Sequence, residues 1–278
     1  MTEIEKYEFD RQGFLVLRSF LTEAEVNQLR PVVDELERHA TEHYQLPPRK
    51  KSKWGPEYHF NRKHGYYVNG GHQYGETFLI EDFFNFDPAF DFLVNHPKTV
   101  EYIRGIVQGA IGINNSELRV RYPGNFTGAH GGGPTSQKYR YAVKGDSIDC
   151  MMVRIIYFVH DVSNEEGAFC VVPHSHKSAY SSPYQCSVDE ENGMIGLEVK
   201  AGDAILFTEN LRHGGLTNRS DKTRKTLHVG YGPDWMMSQN IATMDETPNI
   251  TPEAWARYDE GQRQLFQPWL RQTVAYQQ

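Results

Sequence analysis

The sequence has little cysteine, and the spacing of its three cysteines argues against a structural zinc site. Cys150, Cys170 and Cys186 form no Cys-x-x-Cys pair. An odd number of widely spaced thiols is typical of free cysteines in a reducing compartment. We therefore expect no zinc site and buried, unpaired thiols.

The sequence also lacks a long apolar run, an excess of basic residues and a signal peptide. No apolar stretch approaches the roughly 18 residues that span a bilayer. Acidic residues outnumber basic ones by 36 to 29, which gives a net charge of -7, and no basic stripe is available for nucleic acid. The first residues have neither a basic start nor an apolar core. We expect a cytoplasmic protein that binds a small molecule and neither nucleic acid nor membrane.

The first part of the chain is predicted to be mainly helical. Thr22, with Glu25 three residues later, forms a capping box that begins a helix after the short apolar strand 14–17. Residues 43–78 lack periodicity and contain Pro47-Pro48 and a basic run. This pattern predicts an irregular loop, either solvated or a lid over an acidic substrate. Helix is predicted again in residues 83–108.

The second part is predicted to be built of β-strands. Six short strands separated by turn residues are expected at 118–122, 151–159, 169–172, 196–199, 204–207 and 226–231. Such a series favours a double-stranded β-helix (jelly roll) over an alternating strand–helix fold. We predict one domain of residues 1–278. Its parts are a helical segment of about 1–115 packed on a jelly-roll core of about 116–235, and a tail, 236–278.

Residues 202–224 contain the most informative pattern for function. A strand ending at Phe207 is followed by a turn, by His213 and, eleven residues after that histidine, by Arg224. The histidine can hold a metal ion and the guanidinium can bind a carboxylate with two hydrogen bonds, which suits a metal-bound dicarboxylate. His130 also follows a strand and a glycine-containing turn. Two imidazoles and one carboxylate, with three open positions, form the facial site of non-haem Fe(II) oxygen chemistry.

Three blocks of the sequence together carry a family resemblance. They are residues 9–17 (Phe-Asp-Arg-Gln-Gly-Phe-Leu-Val-Leu), residues 166–177 (Glu-Gly-Ala-Phe-Cys-Val-Val-Pro-His-Ser-His-Lys) and residues 202–224. They resemble the N-terminal segment, the Asn-Gly…Pro-Gly-Ser-His-Lys signature and the distal-histidine block of the phytanoyl-CoA dioxygenase family of Fe(II)/2-oxoglutarate enzymes. The resemblance implies a dioxygenase that hydroxylates or otherwise oxidises an unactivated C–H bond of a small molecule and releases succinate and CO2.

The resemblance also implies cofactors and site residues. The cofactors would be Fe(II), 2-oxoglutarate as co-substrate, and O2. His130 and His213 would bind the iron, and Arg224 would bind the distal carboxylate of 2-oxoglutarate. His176 falls in the second block, where we predict a structural role, and His174 replaces the glycine usual there, so that turn is expected to differ locally.

One position departs from the family pattern. The family's His-x-Asp motif is here His130-Gly131-Gly132-Gly133, so Gly132 stands where the carboxylate ligand is expected. One interpretation is that Glu209, four residues before His213, is the third metal ligand. This requires a tight turn at 210–212, since residues four apart in a helical turn are neighbours. Otherwise Glu209 is a loop carboxylate paired with Arg212. Weaker candidates for the third ligand are Asp146 and Asp149.

Two other interpretations remain open. The Gly132 position can take chloride, as in relatives of the family in which Gly or Ala replaces the carboxylate and the enzyme is a radical halogenase. Alternatively, iron binding is lost and the protein binds a small molecule without redox chemistry.

Overall fold

The computed structural model describes residues 1–47, 49–52, 55, 57–133, 140–237, 240 and 246–270. Within these residues a large antiparallel sheet and a smaller one pack face to face, and helices cover the outer side of the large sheet. This is the jelly roll with flanking helices that the sequence predicts. No helix in the described part of the chain is long and apolar enough to cross a membrane.

The helices begin and end at clear signals. In chain order they are α1 (Glu3–Gln12), α2 (Glu23–His43), α3 (Asp91–Val94), α4 (Pro97–Arg104), α5 (Pro252–Arg257) and α6 (Glu260–Leu265). The predicted capping box starts α2, because Thr22 Oγ1 accepts from the Glu25 amide at 3.3 Å and Glu25 Oε2 accepts from the Thr22 amide at 2.7 Å. The predicted apolar face of α2 is buried, through Val26, Leu29, Val33 and Leu36.

The strands form two main sheets and a hairpin. In chain order they are β1 (Phe14–Leu17), β2 (Arg49–Lys51), β3 (Glu57–Asn61), β4 (Tyr66–Gly70), β5 (Thr77–Glu81), β6 (Ile111–Arg121), β7 (Thr127–His130), β8 (Tyr141–Lys144), β9 (Ser147–Cys150), β10 (Val153–Tyr157), β11 (Phe169–Val172), β12 (Ile195–Gly196), β13 (Ala204–Thr208), β14 (Arg212–Gly215) and β15 (Arg224–Pro233). Over the described residues the large sheet has the order β1-β13-β10-β15-β6-β5-β4-β3-β2, the small sheet β12-β11-β14-β7, and β8 pairs with β9.

The prediction of an irregular loop at residues 43–78 is wrong, and so is the mainly helical description of residues 1–115. Four strands, β2 to β5, extend the large sheet from β6 outward. Tyr66 and Val68 in β4 and Phe78 and Ile80 in β5 are buried. The sequence of β4 shows no clear alternation of apolar and polar residues, because the face opposite Tyr66 and Val68 carries an aromatic residue as well as a polar one. Strand preference depends on neighbouring strands, and β6 supplies the edge on which this segment assembles.

Two apolar layers hold the fold. The larger lies between the helices and the outer face of the large sheet, and it extends from Phe9 to Trp269. The smaller lies between the sheets and includes Ile156 and Phe207 from one sheet and Phe169 and Val171 from the other. All three cysteines are free; Cys150 and Cys170 are buried as predicted, whereas Cys186 is exposed.

Candidate active site

The two candidate metal ligands lie side by side in the small sheet. Strands β7 and β14 are antiparallel neighbours with His130 directly opposite His213. Directly opposed residues of an antiparallel pair place their side chains on the same face. The two imidazole centroids are therefore only 4.2 Å apart. The fold thus brings together two histidines that are far apart in the sequence.

Both imidazoles are oriented in the same way. His130 Nδ1 lies 2.9 Å from the Gly128 carbonyl oxygen, and His213 Nδ1 lies 2.7 Å from the Leu211 carbonyl oxygen. Because a carbonyl only accepts hydrogen bonds, each Nδ1 carries the proton and each Nε2 keeps its lone pair. A hydrogen bond from the second ring nitrogen to a carbonyl is the usual support of a metal-binding histidine.

Aromatic side chains enclose His213. The ring centroids of Phe207 and Phe169 lie 4.9 and 5.6 Å from that of His213. Burial, assisted by the neighbouring His130, lowers the pKa of His213 to about 3. The imidazole is therefore neutral at physiological pH, which is the form that binds a metal ion.

Glu209 lies close to both histidines and bonds to an arginine. A hydrogen bond of 2.9 Å from the Leu211 amide to the Thr208 carbonyl closes a turn that contains Glu209, but the helical turn at 210–212 that the third-ligand interpretation requires is absent, because Arg212 and His213 already belong to strand β14. Arg154 Nε donates to Glu209 Oε1. Burial favours the neutral acid, but the charge of Arg154 and, in acid, the protonated forms of His213 and His130 outweigh it and lower the pKa of Glu209 to about 2. Glu209 is therefore a carboxylate.

The alternative partner predicted for Glu209 is wrong. Arg212 bonds instead to Glu191, at 2.5 Å from Nε and 2.8 Å from Nη2. Within the described residues, the structure shows no contact between the weaker ligand candidates and the histidines. Asp149 is bound by Arg140 and Lys144, each at 2.9 Å, and Asp146 is exposed in the turn between β8 and β9.

Arg154 connects Glu209 to further buried charges that the sequence analysis did not single out. Its Nη1 donates to Glu117 Oε1 at 2.5 Å, and Glu117 accepts from Arg119 at 2.8 and 3.0 Å. Opposite charges therefore alternate along the inner face of the large sheet.

A sequence pattern that predicts these buried charges was present in β6, where Glu117, Arg119 and Arg121 alternate with apolar residues. Alternation in a strand places the charged residues on one face.

Arg224 shares a cavity with the two histidines. The cavity lies between the sheets and is lined by Arg119, Arg121, Thr127, His130, Ile156, Phe158, Phe169, His213, Gly214, Arg224, Thr226 and His228. Arg224 is buried, and its Nη1 donates to the Gly167 carbonyl. Its Nε has no hydrogen-bond partner among the described residues. Burial lowers the pKa of Arg224 to about 10, and the charge of Arg119 adds to this effect.

The donor groups fit Fe(II) and a dicarboxylate. Two imidazoles with free Nε2 lone pairs lie side by side, and a buried guanidinium with an unused N–H lines the same cavity. In the part of the chain that the structure describes, no three histidine, cysteine, aspartate or glutamate side chains are grouped to hold a metal ion. The arrangement therefore supplies two oriented ligands, with Glu209 beside them and held by Arg154.

Comparison with known proteins identifies the family of the chain. The family model for phytanoyl-CoA dioxygenase (PhyH) matches residues 9–226. The chain belongs to the phytanoyl-CoA dioxygenase family. The family uses Fe(II), 2-oxoglutarate and O2, as the resemblance implied. Family membership supports an Fe(II)/2-oxoglutarate oxidoreductase.

Individual relatives are more distant. A dioxygenase, olcK, of Penicillium canescens is 36% identical over 87 residues, and this match spans 30% of the chain and only 26% of that relative. The structure of HygX from Streptomyces hygroscopicus with nickel, 2-oxoglutarate and hygromycin B has a TM-score of 0.68 at 20% identity, covering 90% of this chain and 96% of HygX. The epimerase SnoN, in complex with Fe3+, alpha ketoglutarate and nogalamycin RO, has a TM-score of 0.62 at 15% identity, covering 90% and 91%. At these identities the two structures show a shared fold.

The second resemblance block adjoins the site. It includes β11, in which Val171 lies opposite His213, and Gly167, whose carbonyl binds Arg224. His176 Nε2 lies 3.0 Å from the Asp10 carbonyl oxygen and so fastens this block to the N-terminal segment. His174 adopts a φ of +70°, so a left-handed turn is kept without the usual glycine.

Gly132 has no room for a side chain. Its φ is +66°, and a Cβ at this position would lie 2.6 Å from Arg212 Cβ. An aspartate here would be strained by the left-handed backbone and would collide with β14. The position therefore cannot return to the family's His-x-Asp pattern without moving the strand that carries His213.

We expect Gly132→Asp to destabilise the protein rather than supply a metal ligand. The matched control is Gly145→Asp, since Gly145 has a φ of +57° and no atom within 4 Å of a Cβ. Both variants carry the backbone strain, and the collision at Gly132 should cost about 1–3 kcal/mol more. Urea unfolding of the two variants measures this difference. Equal losses in the two would show that position 132 does have room.

Proposed function

We propose that this protein is an Fe(II)- and 2-oxoglutarate-dependent dioxygenase that hydroxylates or otherwise oxidises an unactivated C–H bond of a small molecule. The observation that carries the proposal is the oriented pair His130 and His213 in one cavity with the part-unpaired guanidinium of Arg224. When bound, iron with 2-oxoglutarate and O2 supplies the oxidant, and succinate and CO2 are released. The small-molecule substrate class is supported by the ligands named for HygX and SnoN.

The roles of the protein groups follow from their contacts. His130 and His213 bind the metal through Nε2, and their Nδ1 protons hold the rings in place. Arg224 binds the distal carboxylate of 2-oxoglutarate, which fixes the direction of the co-substrate in the cavity. Phe169 and Phe207 pack against the ring of His213 and limit the access of water to it.

Glu209 is the third ligand in this proposal. Arg154 binds Oε1, and we assign Oε2 to the metal ion. A ligating carboxylate is normally held by such a second partner. Arg154 thus positions Glu209, while Glu117 balances the charge that Arg154 brings into the interior.

We expect Glu209→Gln to weaken Fe(II) binding by about 100-fold or more, because losing a ligand exceeds the 10–100-fold cost of losing an outer partner. The matched control is Glu191→Gln, a buried carboxylate that also binds an arginine, Arg212, whereas Glu209 interacts electrostatically with both histidines. Anaerobic Fe(II) titration measures both. Undiminished affinity in Glu209→Gln would dismiss this residue as a ligand.

Halogenation is the second candidate, and Gly132 is the observation that favours it. With no side chain at that position and Glu209 bonded to Arg154, the metal ion can take chloride in place of a carboxylate. Under this alternative Glu209 is a neighbour of the site and not a ligand. A protein that binds a small molecule without redox chemistry is the third candidate.

One experiment separates the three candidates. Fe(II) and 2-oxoglutarate are added anaerobically to the purified protein, and the visible spectrum is recorded with and without chloride. A metal-to-2-oxoglutarate charge-transfer band that chloride leaves unchanged supports the oxygenase, and a band that chloride shifts supports the halogenase. The absence of any band would overturn both and leave the binding protein.

A further inference from the structure

A second buried arginine faces the cavity beside Arg224. Strands β6 and β15 are antiparallel neighbours, and Arg121 stands directly opposite Arg224 in their register. Both side chains are only 5% exposed. Directly opposed residues share one face of the sheet, so the two guanidinium groups enter the cavity together.

Each guanidinium has an unused donor. Arg121 Nη1 donates to Asn125 Oδ1 at 2.8 Å, and Arg224 Nη1 donates to the Gly167 carbonyl, but Nε of each arginine is buried without a hydrogen-bond partner in the described residues. A buried donor without a partner is costly, and such groups call for an explanation such as a ligand. Two unsatisfied donors on adjacent cations indicate that an anion belongs here.

No described acidic side chain forms an ion pair with either of these two arginines. Burial and the charges of Arg224 and Arg119 lower the pKa of Arg121 well below its usual value. The carboxylate of Glu117, which is bonded to Arg119 and Arg154, offsets this only in part. The nearby Cys170 adds no negative charge, because burial raises the pKa of its thiol to about 12. Two like charges in a dry cavity are stable only with a counter-charge.

A methyl-sized space at Gly215 lies against both arginines. A methyl group built on Gly215 would lie 3.6 Å from Arg224 Nη2, 3.6 Å from Thr127 Oγ1 and 3.7 Å from Arg121 Cζ. The missing side chain thus leaves a cradle edged by two guanidinium groups and a hydroxyl. A carboxylate accepts up to four hydrogen bonds in its plane, which matches donors arranged on several sides.

We propose that Arg121, together with Thr127, forms a joint clamp with Arg224 for the distal carboxylate of a dicarboxylate co-substrate, seated against Gly215. The inference rests on the proposed function, in which Arg224 binds that carboxylate. Arg121 is a positioning and affinity residue at the far end of the co-substrate from the metal. The clamp makes the site selective for a 2-oxo acid with a second carboxylate.

The test compares two probes that share the chelating end. These are 2-oxoglutarate and 2-oxopentanoate, which lacks the distal carboxylate, and binding is followed by the charge-transfer band of the Fe(II)-loaded protein. Arg121→Gln keeps a donor for Asn125 and removes the charge. We expect it to raise the Kd for 2-oxoglutarate by about tenfold or more, the loss of one charged hydrogen bond, and to leave the Kd for 2-oxopentanoate within twofold.

Two further variants separate binding from folding. Gly215→Ala adds a methyl group with only ordinary contacts, so it should fold normally and still weaken 2-oxoglutarate. Asn125→Ala removes the hydrogen bond to Arg121 but not its charge, so it should lower thermal stability with little change in affinity. Equal weakening of both probes by Arg121→Gln, or equal weakening by Asn125→Ala, would overturn the clamp in favour of a structural role.

The outcomes also distinguish this inference from the proposed function. If the wild-type protein binds neither probe, the proposed function fails and the clamp fails with it. If the wild type binds 2-oxoglutarate and Arg224→Gln weakens it while Arg121→Gln and Gly215→Ala do not, only the joint clamp is overturned.

Discussion

Replacing His213 by alanine should abolish the charge-transfer band and the formation of succinate from 2-oxoglutarate. The variant removes one of two oriented imidazoles whose centroids are 4.2 Å apart. Loss of a metal ligand costs more than the 10–100-fold loss of affinity that follows removal of an outer partner. Anaerobic Fe(II) titration and succinate assay measure both effects. A variant that keeps wild-type turnover would contradict the assignment.

The controls for this prediction address folding. His213 is buried between Phe169 and Phe207, so its removal leaves a cavity and lowers stability. His130→Ala removes the other ligand from an exposed position and should lose iron with less change in thermal stability. His160→Ala, at a histidine outside the cavity lining, should keep the band. Iron binding that survives in both His130→Ala and His213→Ala would exclude the pair as ligands.

The histidine pair could be predicted from the sequence because each member sits in a recognisable local pattern. His213 follows a strand and a turn, and Arg224 follows at a fixed distance along the chain. What the sequence did not contain is the register that sets His130 opposite His213. Register depends on which strands become neighbours. Strands β7 and β14 are far apart in the sequence and become neighbours only when the small sheet forms.

The partners of the charged residues were not predictable in the same way. Glu209 was expected to pair with Arg212 or to bind metal, and it bonds to Arg154 on the neighbouring strand β10. Arg154 stands in an otherwise apolar stretch, and that pattern predicts a buried strand without indicating the partner of its one charged residue. Arg121 was missed for the same reason, although its alternation with Leu118 and Val120 was visible.

At Gly132 the departure from the family motif was visible in the sequence, and the structure shows why a carboxylate does not fit there. A missing carboxylate was evident from the motif alone. The direction of the missing Cβ, toward Arg212 and not toward the histidines, is a property of the turn with its positive φ. The proposed third ligand is therefore Glu209, whose carboxylate interacts electrostatically with both imidazoles.

Replacing Arg224 by glutamine should raise the Kd for 2-oxoglutarate by about 100-fold or more. The guanidinium is buried in the same cavity as the two histidines, and removing one partner of a buried charged pair costs about 3–5 kcal/mol. Each 1.4 kcal/mol corresponds to a tenfold change in Kd. The Kd for 2-oxopentanoate, which has no distal carboxylate, should change little. An unchanged requirement for 2-oxoglutarate would remove Arg224 from the site.

Thermal stability checks the role of Arg224 independently, because Arg224→Gln should have opposite effects on the stability of the free protein and on the stabilisation by 2-oxoglutarate. Burial lowers the pKa of Arg224 to about 10, so the folded protein disfavours its charge, and this cost is present below pH 10 and is relieved above it. Without ligand, Arg224→Gln should therefore melt no lower than the wild type at pH 7. With 2-oxoglutarate at 100 times its Kd, the wild type gains about 2.7 kcal/mol, and the variant should gain far less at the same concentration. A variant that melts lower and keeps the full gain would show that Arg224 supports the fold and does not bind the co-substrate. A buried charge that destabilises the free protein and stabilises the complex is expected where the residue serves ligand binding rather than folding.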